Sequence, residues 1–426
     1  MTKKEDLAIH GGTPVIDSHF KRYNPIGSEE ADAVAEVMKS GVLSQFLGRW
    51  GDDFYGGPKV KEFESFCQDY FGVKRAITVN SWTSGLVTAI GALGLEPGDE
   101  VIVPPWTMCA SATAILHWNL IPVFADIEEE TFCLDPKSVE ENISPYTKAI
   151  MSVDICGHSA DVDALQAIAD RHGLKIISDT AQAPGAIYKG KKAGTLTDIG
   201  GYSLNYHKHI HTGEGGILVT DDEELAERMC LIRNHAEAVV EDKGTSNLVN
   251  MIGHNFRLGE IECAIGMEQL KKLQVQIESR QRAAGRLSEG LKNLPGLRLP
   301  IVKPDCTHVY YMYQMILDLN VLPASRDAIL KALQAEGVVG LGTSFANIHR
   351  LPIFQKKIAY GSKGFPWVDG IAHREIDYGV GICPTAETLQ DQTYLGFLMC
   401  MHEMPDSDVD LMIEAFQKVW SRLDSL

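Results

Sequence analysis

The chain has 426 residues, 45% of them hydrophobic and 23% charged, with a formal net charge of −18. That length exceeds what one hydrophobic core usually fills, which predicts two domains, and the composition is that of a globular protein. The acidic balance argues against nucleic acid or an anionic membrane as the main partner, since both need a basic surface.

Residues 1–7 carry Lys3 and Lys4 with no apolar stretch behind them, so no signal peptide is expected. No run approaches the ~18 apolar residues of a membrane-spanning helix. From about residue 60 to 220, short apolar runs alternate with helical stretches, the pattern of an α/β domain. Strands are expected at 76–79, 100–103, 122–125, 149–153, 175–178, 201–204 and 216–220. Most are apolar throughout, as strands covered on both faces should be. Helices are expected at 84–94 and at 160–172, the latter with Val162, Leu165, Ile168 and Ala169 on one side. A proline-free helix over 260–291 would bridge the domains. Beyond Pro295-Gly296 come a strand at 309–317, a helix at 325–337 capped by Ser325, and an amphipathic helix at 406–423. Residues 1–290 are therefore read as a large domain and 291–426 as a smaller C-terminal one. The nine cysteines show no CxxC or metal-ligand spacing and read as reduced core thiols of a cytoplasmic protein.

Three stretches carry chemistry. Asn80-Ser-Trp-Thr83-Ser84-Gly85 is a strand-to-helix turn whose hydroxyls and N–H groups suit a phosphate, although small residues at helix starts are common. In Lys175-Ile-Ile-Ser-Asp179-Thr-Ala-Gln182 an aspartate ends an apolar strand, where α/β sheets place their ligands. The other reading of Asp179 is a helix N-cap. In Ser203-Leu-Asn-Tyr-His-Lys208, the lysine lies five residues after a serine and before a Gly-rich return into another strand. Such a lysine either extends to solvent or, when desolvated, loses its proton and becomes a nucleophile toward an aldehyde. Phosphate turn, aspartate, and lysine about 30 residues later together describe a site for pyridoxal 5'-phosphate (PLP). That cofactor needs a Schiff-base lysine and a carboxylate against its pyridine nitrogen.

Further motifs extend the pattern along the chain. They are Gly57-Pro58 with Val60 and Phe63-Glu64, Pro97-Gly98-Asp99-Glu100-Val101-Ile102, Thr212-Gly-Glu-Gly-Gly216, Gly253-His-Asn255-Phe-Arg-Leu and Pro384-Thr-Ala386-Glu387. Over nearly its full length the chain resembles the DegT/StrS-type family of PLP-dependent sugar aminotransferases. The resemblance implies the aspartate aminotransferase (type I) fold, a large α/β domain with a mostly parallel seven-stranded sheet plus a smaller C-terminal α+β domain. It implies Lys208 as the Schiff-base lysine and Asp179 as the pyridine-nitrogen carboxylate. Gln182 falls beside the phenolic oxygen, and Thr83, Ser84 and Ser203 at the phosphate. Asn255, on its own a loop residue, matches an asparagine that reaches the phosphate in the neighbouring subunit, which implies a homodimer with shared active sites.

Two positions depart from the family pattern. Met108 stands where an aromatic ring usually stacks on the cofactor, with Trp106 two residues earlier as the alternative cover. Asp154 stands where relatives often carry histidine or another pocket residue. His207, His209 and His211 would share one face of a strand, as a zinc site or, the reading adopted, as lining of an anionic pocket. The function implied is transfer of an amino group from L-glutamate or L-glutamine to a nucleotide-linked keto-sugar, or alternatively to a keto-cyclitol. A sugar dehydratase of this family carries histidine in place of the lysine, but the spacing from Ser203 lands on Lys208 and not on His207 or His209. A non-catalytic PLP-binding regulator is the remaining alternative, and no appended DNA-binding domain is recognisable.

Overall fold

The computed structural model describes residues 6–345 and 347–426; residues 1–5, part of the N-terminus read above as carrying no signal peptide, lie outside them. Seven strands form the central sheet: β1 (Arg75–Val79), β2 (Glu100–Val103), β3 (Ile121–Phe124), β4 (Thr147–Val153), β5 (Lys175–Asp179), β6 (Ile199–Ser203) and β7 (Gly216–Thr220). Their order is β1-β7-β6-β5-β4-β2-β3. Neighbours from β3 through β6 run parallel, whereas β7 is antiparallel to both β6 and β1. Apart from Arg75, Lys148 and Lys175, every residue of these strands is buried, which explains their apolar, non-alternating sequences.

This topology positions the site. β1, β2, β4, β5 and β6 all deliver their carboxyl ends to one edge of the sheet. Because β7 returns antiparallel beside β6, the connection between them can be short. Residues 204–215, including Lys208, are thereby confined to that same edge. Gly216 sits opposite both Val79 and Ser203.

The helices follow local chemistry. Helix α1 (Pro58–Phe71) starts with proline at its first position, where the missing N–H is not needed. Glu260 caps that helix from outside, accepting from the Lys59 N–H at 2.8 Å. Helix α2 (Trp82–Ala92) starts two residues before the expected position, because Ser81 is its N-cap and accepts from the Ser84 N–H at 3.1 Å. Helix α3 (Ala110–His117) follows β2, and α4 (Val162–His172) is capped by Asp161 and closed by Gly173 at φ +67°. Helix α5 (Glu260–Leu291) spans the range expected.

The C-terminal sheet holds β8 (Leu297–Arg298), β9 (Tyr313–Leu317), β10 (Leu341–Gly342) and β11 (Tyr394–Phe397) in the order β8-β9-β11-β10, all antiparallel. The run expected to be extended from residue 309 becomes a strand only at Tyr313, since Tyr310 adopts φ +51°. Packing crosses residue 290 in both directions. Leu7, Ile16 and Phe20 join the cluster built from Tyr313, Leu317, Phe397 and Phe416. Ile348, Phe354, Tyr378 and Leu389 pack instead into the cluster around the large sheet. Among the described residues, no helix is long and apolar enough to cross a membrane.

Candidate active site

A cavity of about 510 Å³ opens at the carboxyl edge of the large sheet. Its wall includes Thr83, Met108, Asp179, Gln182, Ser203, His207 and Lys208, which the sequence placed there, together with Ser81, Trp82, Thr107, Glu214 and Tyr311, which it did not. Phe345, Ile348 and Leu351 close it from the C-terminal half of the chain.

Lys208 is 7% exposed, and its Nζ lies 4.4 Å from the centroid of the Tyr311 ring. Burial lowers its pKa to about 8, with the nearby Asp179 carboxylate opposing the shift. A substantial fraction of the amine is therefore neutral near pH 8, the form that attacks a carbonyl. The snorkelling alternative for Lys208 is thus not what the structure shows.

Asp179 ends β5 and is 4% exposed. No helix follows it, so it is not an N-cap. Its Oδ1 accepts from the Trp82 Nε1–H at 2.7 Å and its Oδ2 from the Ser111 hydroxyl at 2.7 Å. Gln182 accepts from the Cys156 N–H through Oε1 at 2.9 Å. That bond fixes the amide orientation and turns its NH2 donor elsewhere.

Around the phosphate turn, Thr83 is exposed on the cavity wall. The Trp82 and Thr83 N–H groups lie in the first helical turn, where the helix supplies no acceptor. Ser84 is off the wall, its hydroxyl donating to Asn80 Oδ1 at 2.7 Å. Ser203 Oγ accepts from the Asn205 N–H at 3.2 Å. Asn255 is exposed and also off the wall. Its carbonyl accepts from Asn80 Nδ2 at 3.4 Å, and its Oδ1 from Arg257 Nε at 2.8 Å.

The structure separates the two candidate covers. Met108 is 61% exposed on the cavity wall, whereas Trp106 is fully buried among Phe132, Phe345 and Tyr394. Asp154 is not a wall residue. It is buried beneath, accepting from the Thr180 hydroxyl and the Ala160 N–H at 2.6 and 2.8 Å. Burial, with Asp179 adding to it, pushes its pKa up to about 6.

The three histidines lie on the irregular connection between β6 and β7, not on a strand, and of the three only His207 is on the cavity wall. His207 lines the cavity, and burial with the Lys208 charge lowers its pKa to about 4, so the ring is neutral. His209 is buried with Nε2 2.7 Å from the Val309 carbonyl. Among the described residues no group of three His, Cys, Asp or Glu side chains is placed to hold a metal ion.

These groups fit PLP. The cavity offers a partly neutral lysine, a buried carboxylate already oriented by two donors, an amide donor with its acceptor end occupied, and a helix N-terminus with free N–H groups. The fold and this constellation define a PLP-dependent aminotransferase.

The comparisons with known proteins agree. The model of the DegT/DnrJ/EryC1/StrS aminotransferase family matches residues 25–391. The chain is 38% identical to the GDP-perosamine synthase of Caulobacter vibrioides, covering 74% of this chain and 81% of that one. It is 35% identical to the L-glutamine:2-deoxy-scyllo-inosose aminotransferase of Streptoalloteichus tenebrarius, covering 84% and 86%. The solved aminotransferase from Psychrobacter cryohalolentis superimposes with a TM-score of 0.80 at 27% identity, covering 95% and 99%. The chain belongs to the DegT/DnrJ/EryC1/StrS aminotransferase family, and its cofactor is PLP.

Trp82, Ser111 and Tyr311 are the site residues sequence reading missed. Trp82 stood inside a stretch already singled out, but nothing local indicates that its N–H meets a carboxylate 97 positions away. The apolar run containing Tyr311 carried no sign of facing Lys208.

Proposed function

We propose that this enzyme moves the amino group of L-glutamine or L-glutamate to a nucleotide-linked keto-sugar, with Lys208 and Asp179 as its catalytic residues. The observation that carries the reading is a buried, partly neutral Lys208 in one cavity with Asp179, whose two oxygens are both hydrogen-bonded. PLP, when bound, supplies an electron-withdrawing ring that stabilises negative charge at the amino-donor Cα. Lys208 holds the cofactor through Nζ and, once released, takes the Cα proton of the donor. With PLP bound, Asp179 would keep the proton on the ring nitrogen, and Gln182 would donate to the phenolic oxygen. Thr83, Ser84 and Ser203 would serve the phosphate, Ser84 by holding the turn through Asn80, and Met108 would cover the ring face.

Similarity to the perosamine synthase supports a keto-sugar acceptor. Similarity to the scyllo-inosose enzyme favours a second reading, a keto-cyclitol. The two are separated by converting the holoenzyme to its aminated form with L-glutamine and then adding either acceptor. Recovery of the visible cofactor band with a GDP-linked 4-keto-6-deoxyhexose and not with a keto-cyclitol supports the first reading. The reverse selectivity overturns it.

We also propose a homodimer in which Asn255 reaches the partner's phosphate site. The segment before Asn255 exposes Leu248, Val249 and Ile252 at 59%, 38% and 65%, an apolar stretch that a second subunit would cover.

A further inference from the structure

We propose that Trp82 and Ser111 are positioning residues that hold Asp179 flat and ionised for the cofactor's ring nitrogen; this rests on the assignment of Asp179 to that nitrogen. A carboxylate buried at 4% exposure is costly unless donors replace its lost water. Before any ligand enters, Asp179 has three: Trp82 Nε1–H on Oδ1 at 2.7 Å, the Ala181 N–H on Oδ1 at 3.3 Å, and the Ser111 hydroxyl on Oδ2 at 2.7 Å. The two short bonds fix both ends of the carboxylate, so its plane cannot rotate. Oδ2, with Ser111 as its one donor, keeps lone-pair capacity for another.

The indole is placed by shape. A Cβ at Gly85 would lie 2.6 Å from Trp82 Cε3, and a Cβ at Gly201 would collide with Trp82 Cη2. One glycine comes from α2 and the other from β6, so the ring lies in a slot that only glycines leave open. The indole nitrogen is a donor and never an acceptor, so its proton always faces Asp179. The Ser111 hydroxyl can rotate, but Thr107 Oγ1 lies 3.0 Å behind it. With Thr107 donating to Ser111, the Ser111 proton is directed to Asp179.

The consequence concerns the proton shared between Asp179 and the ring nitrogen. Donors to a carboxylate stabilise its charged form. Trp82 and Ser111 therefore keep that proton on the ring, where it makes the ring an electron sink. With either donor removed, Asp179 becomes more basic and the ring less positive. A less positive ring makes the lysine-bound nitrogen of the cofactor harder to deprotonate.

The test titrates the visible band of the PLP-loaded protein with pH, for wild type and for Trp82→Phe, Ser111→Ala, Ser111→Thr and Asp179→Asn. Trp82→Phe and Ser111→Ala should raise the midpoint by about half a pH unit or more, in the same direction as the larger shift of Asp179→Asn. Ser111→Thr, which keeps the hydroxyl, should restore the wild-type value. If Asp179→Asn shifts the midpoint while Trp82→Phe and Ser111→Ala match wild type, the two residues only pack and the inference fails. If Asp179→Asn itself leaves the midpoint unchanged, the assignment of Asp179 fails and takes the inference with it. Should Trp82→Phe not fold, the Ser111 pair decides alone: a shift in the alanine variant with rescue in the threonine variant supports the proposal, and its absence overturns it.

Discussion

Lys208 shows how burial creates reactivity from an ordinary side chain. Burial lowers its pKa from 10.5 to about 8, and the Asp179 carboxylate opposes the shift only in part. Folding therefore releases a proton that the unfolded chain would hold up to about pH 10.5. Charged Lys208 costs stability below about pH 8, and this cost fades as the pH rises toward 10.5. The same shift governs cofactor capture, because only the neutral amine attacks the aldehyde. Capture of PLP by the cofactor-free protein, followed by the growth of its visible band, should accelerate up to about pH 8 and level off above it. A rate that keeps rising tenfold per unit to pH 10 would place the amine in a solvated, unshifted environment.

At the scale of elements, the site depends on parallel strands ending together and on close approaches that glycines permit. Gly201 in β6 faces both the Trp82 indole and the Ile217 carbonyl of β7. Gly201→Ala should cost roughly 1–3 kcal/mol of stability through overpacking, read as a lower urea midpoint at an unchanged m-value, and should weaken PLP binding as Trp82 shifts. An unchanged midpoint and affinity would mean that the indole does not fill this slot. The regular elements were legible because periodicity and punctuation are local. Residues 260–291 form one helix because no proline interrupts them, and β7 is bounded by Gly216. That Lys208, Asp179 and Gln182 meet at one cavity was legible because each lies at or just beyond a strand end. The Asp179 clamp was not, since Trp82 and Ser111 reach it across 97 and 68 positions. Nor could sequence choose between Met108 and Trp106, which lie outside the regular elements, where periodicity assigns no face.

At the scale of the whole molecule, chain order and core membership differ. The N-terminal Leu7, Ile16 and Phe20 complete the core of the C-terminal sheet, while Phe345, Ile348 and Leu351 return to close the cavity of the large one. The proposed dimer adds one more crossing. Mixed dimers pairing a Lys208→Ala chain with an Asn255→Ala chain test it. If Asn255 acts in trans, the intact lysine and the intact asparagine share one site, which should bind PLP and turn over as in wild type. If it acts in cis, the only lysine-bearing site lacks its asparagine and should bind PLP about ten- to hundredfold more weakly, the loss of one hydrogen bond to a charged acceptor. A working site no better than that of the Asn255→Ala homodimer would contradict the shared arrangement.

The most direct test of the central claim is borohydride reduction of the PLP-loaded protein, followed by peptide mass analysis before and after exposure to L-glutamine. Before the amino donor, the mass of reduced PLP should appear on the peptide carrying Lys208 and on no other. After it, the visible band should bleach and reduction should leave that peptide unmodified, because the cofactor has taken the amino group and left the lysine. A tether on a different lysine, or one that persists unchanged in every amino donor tried, would contradict the account.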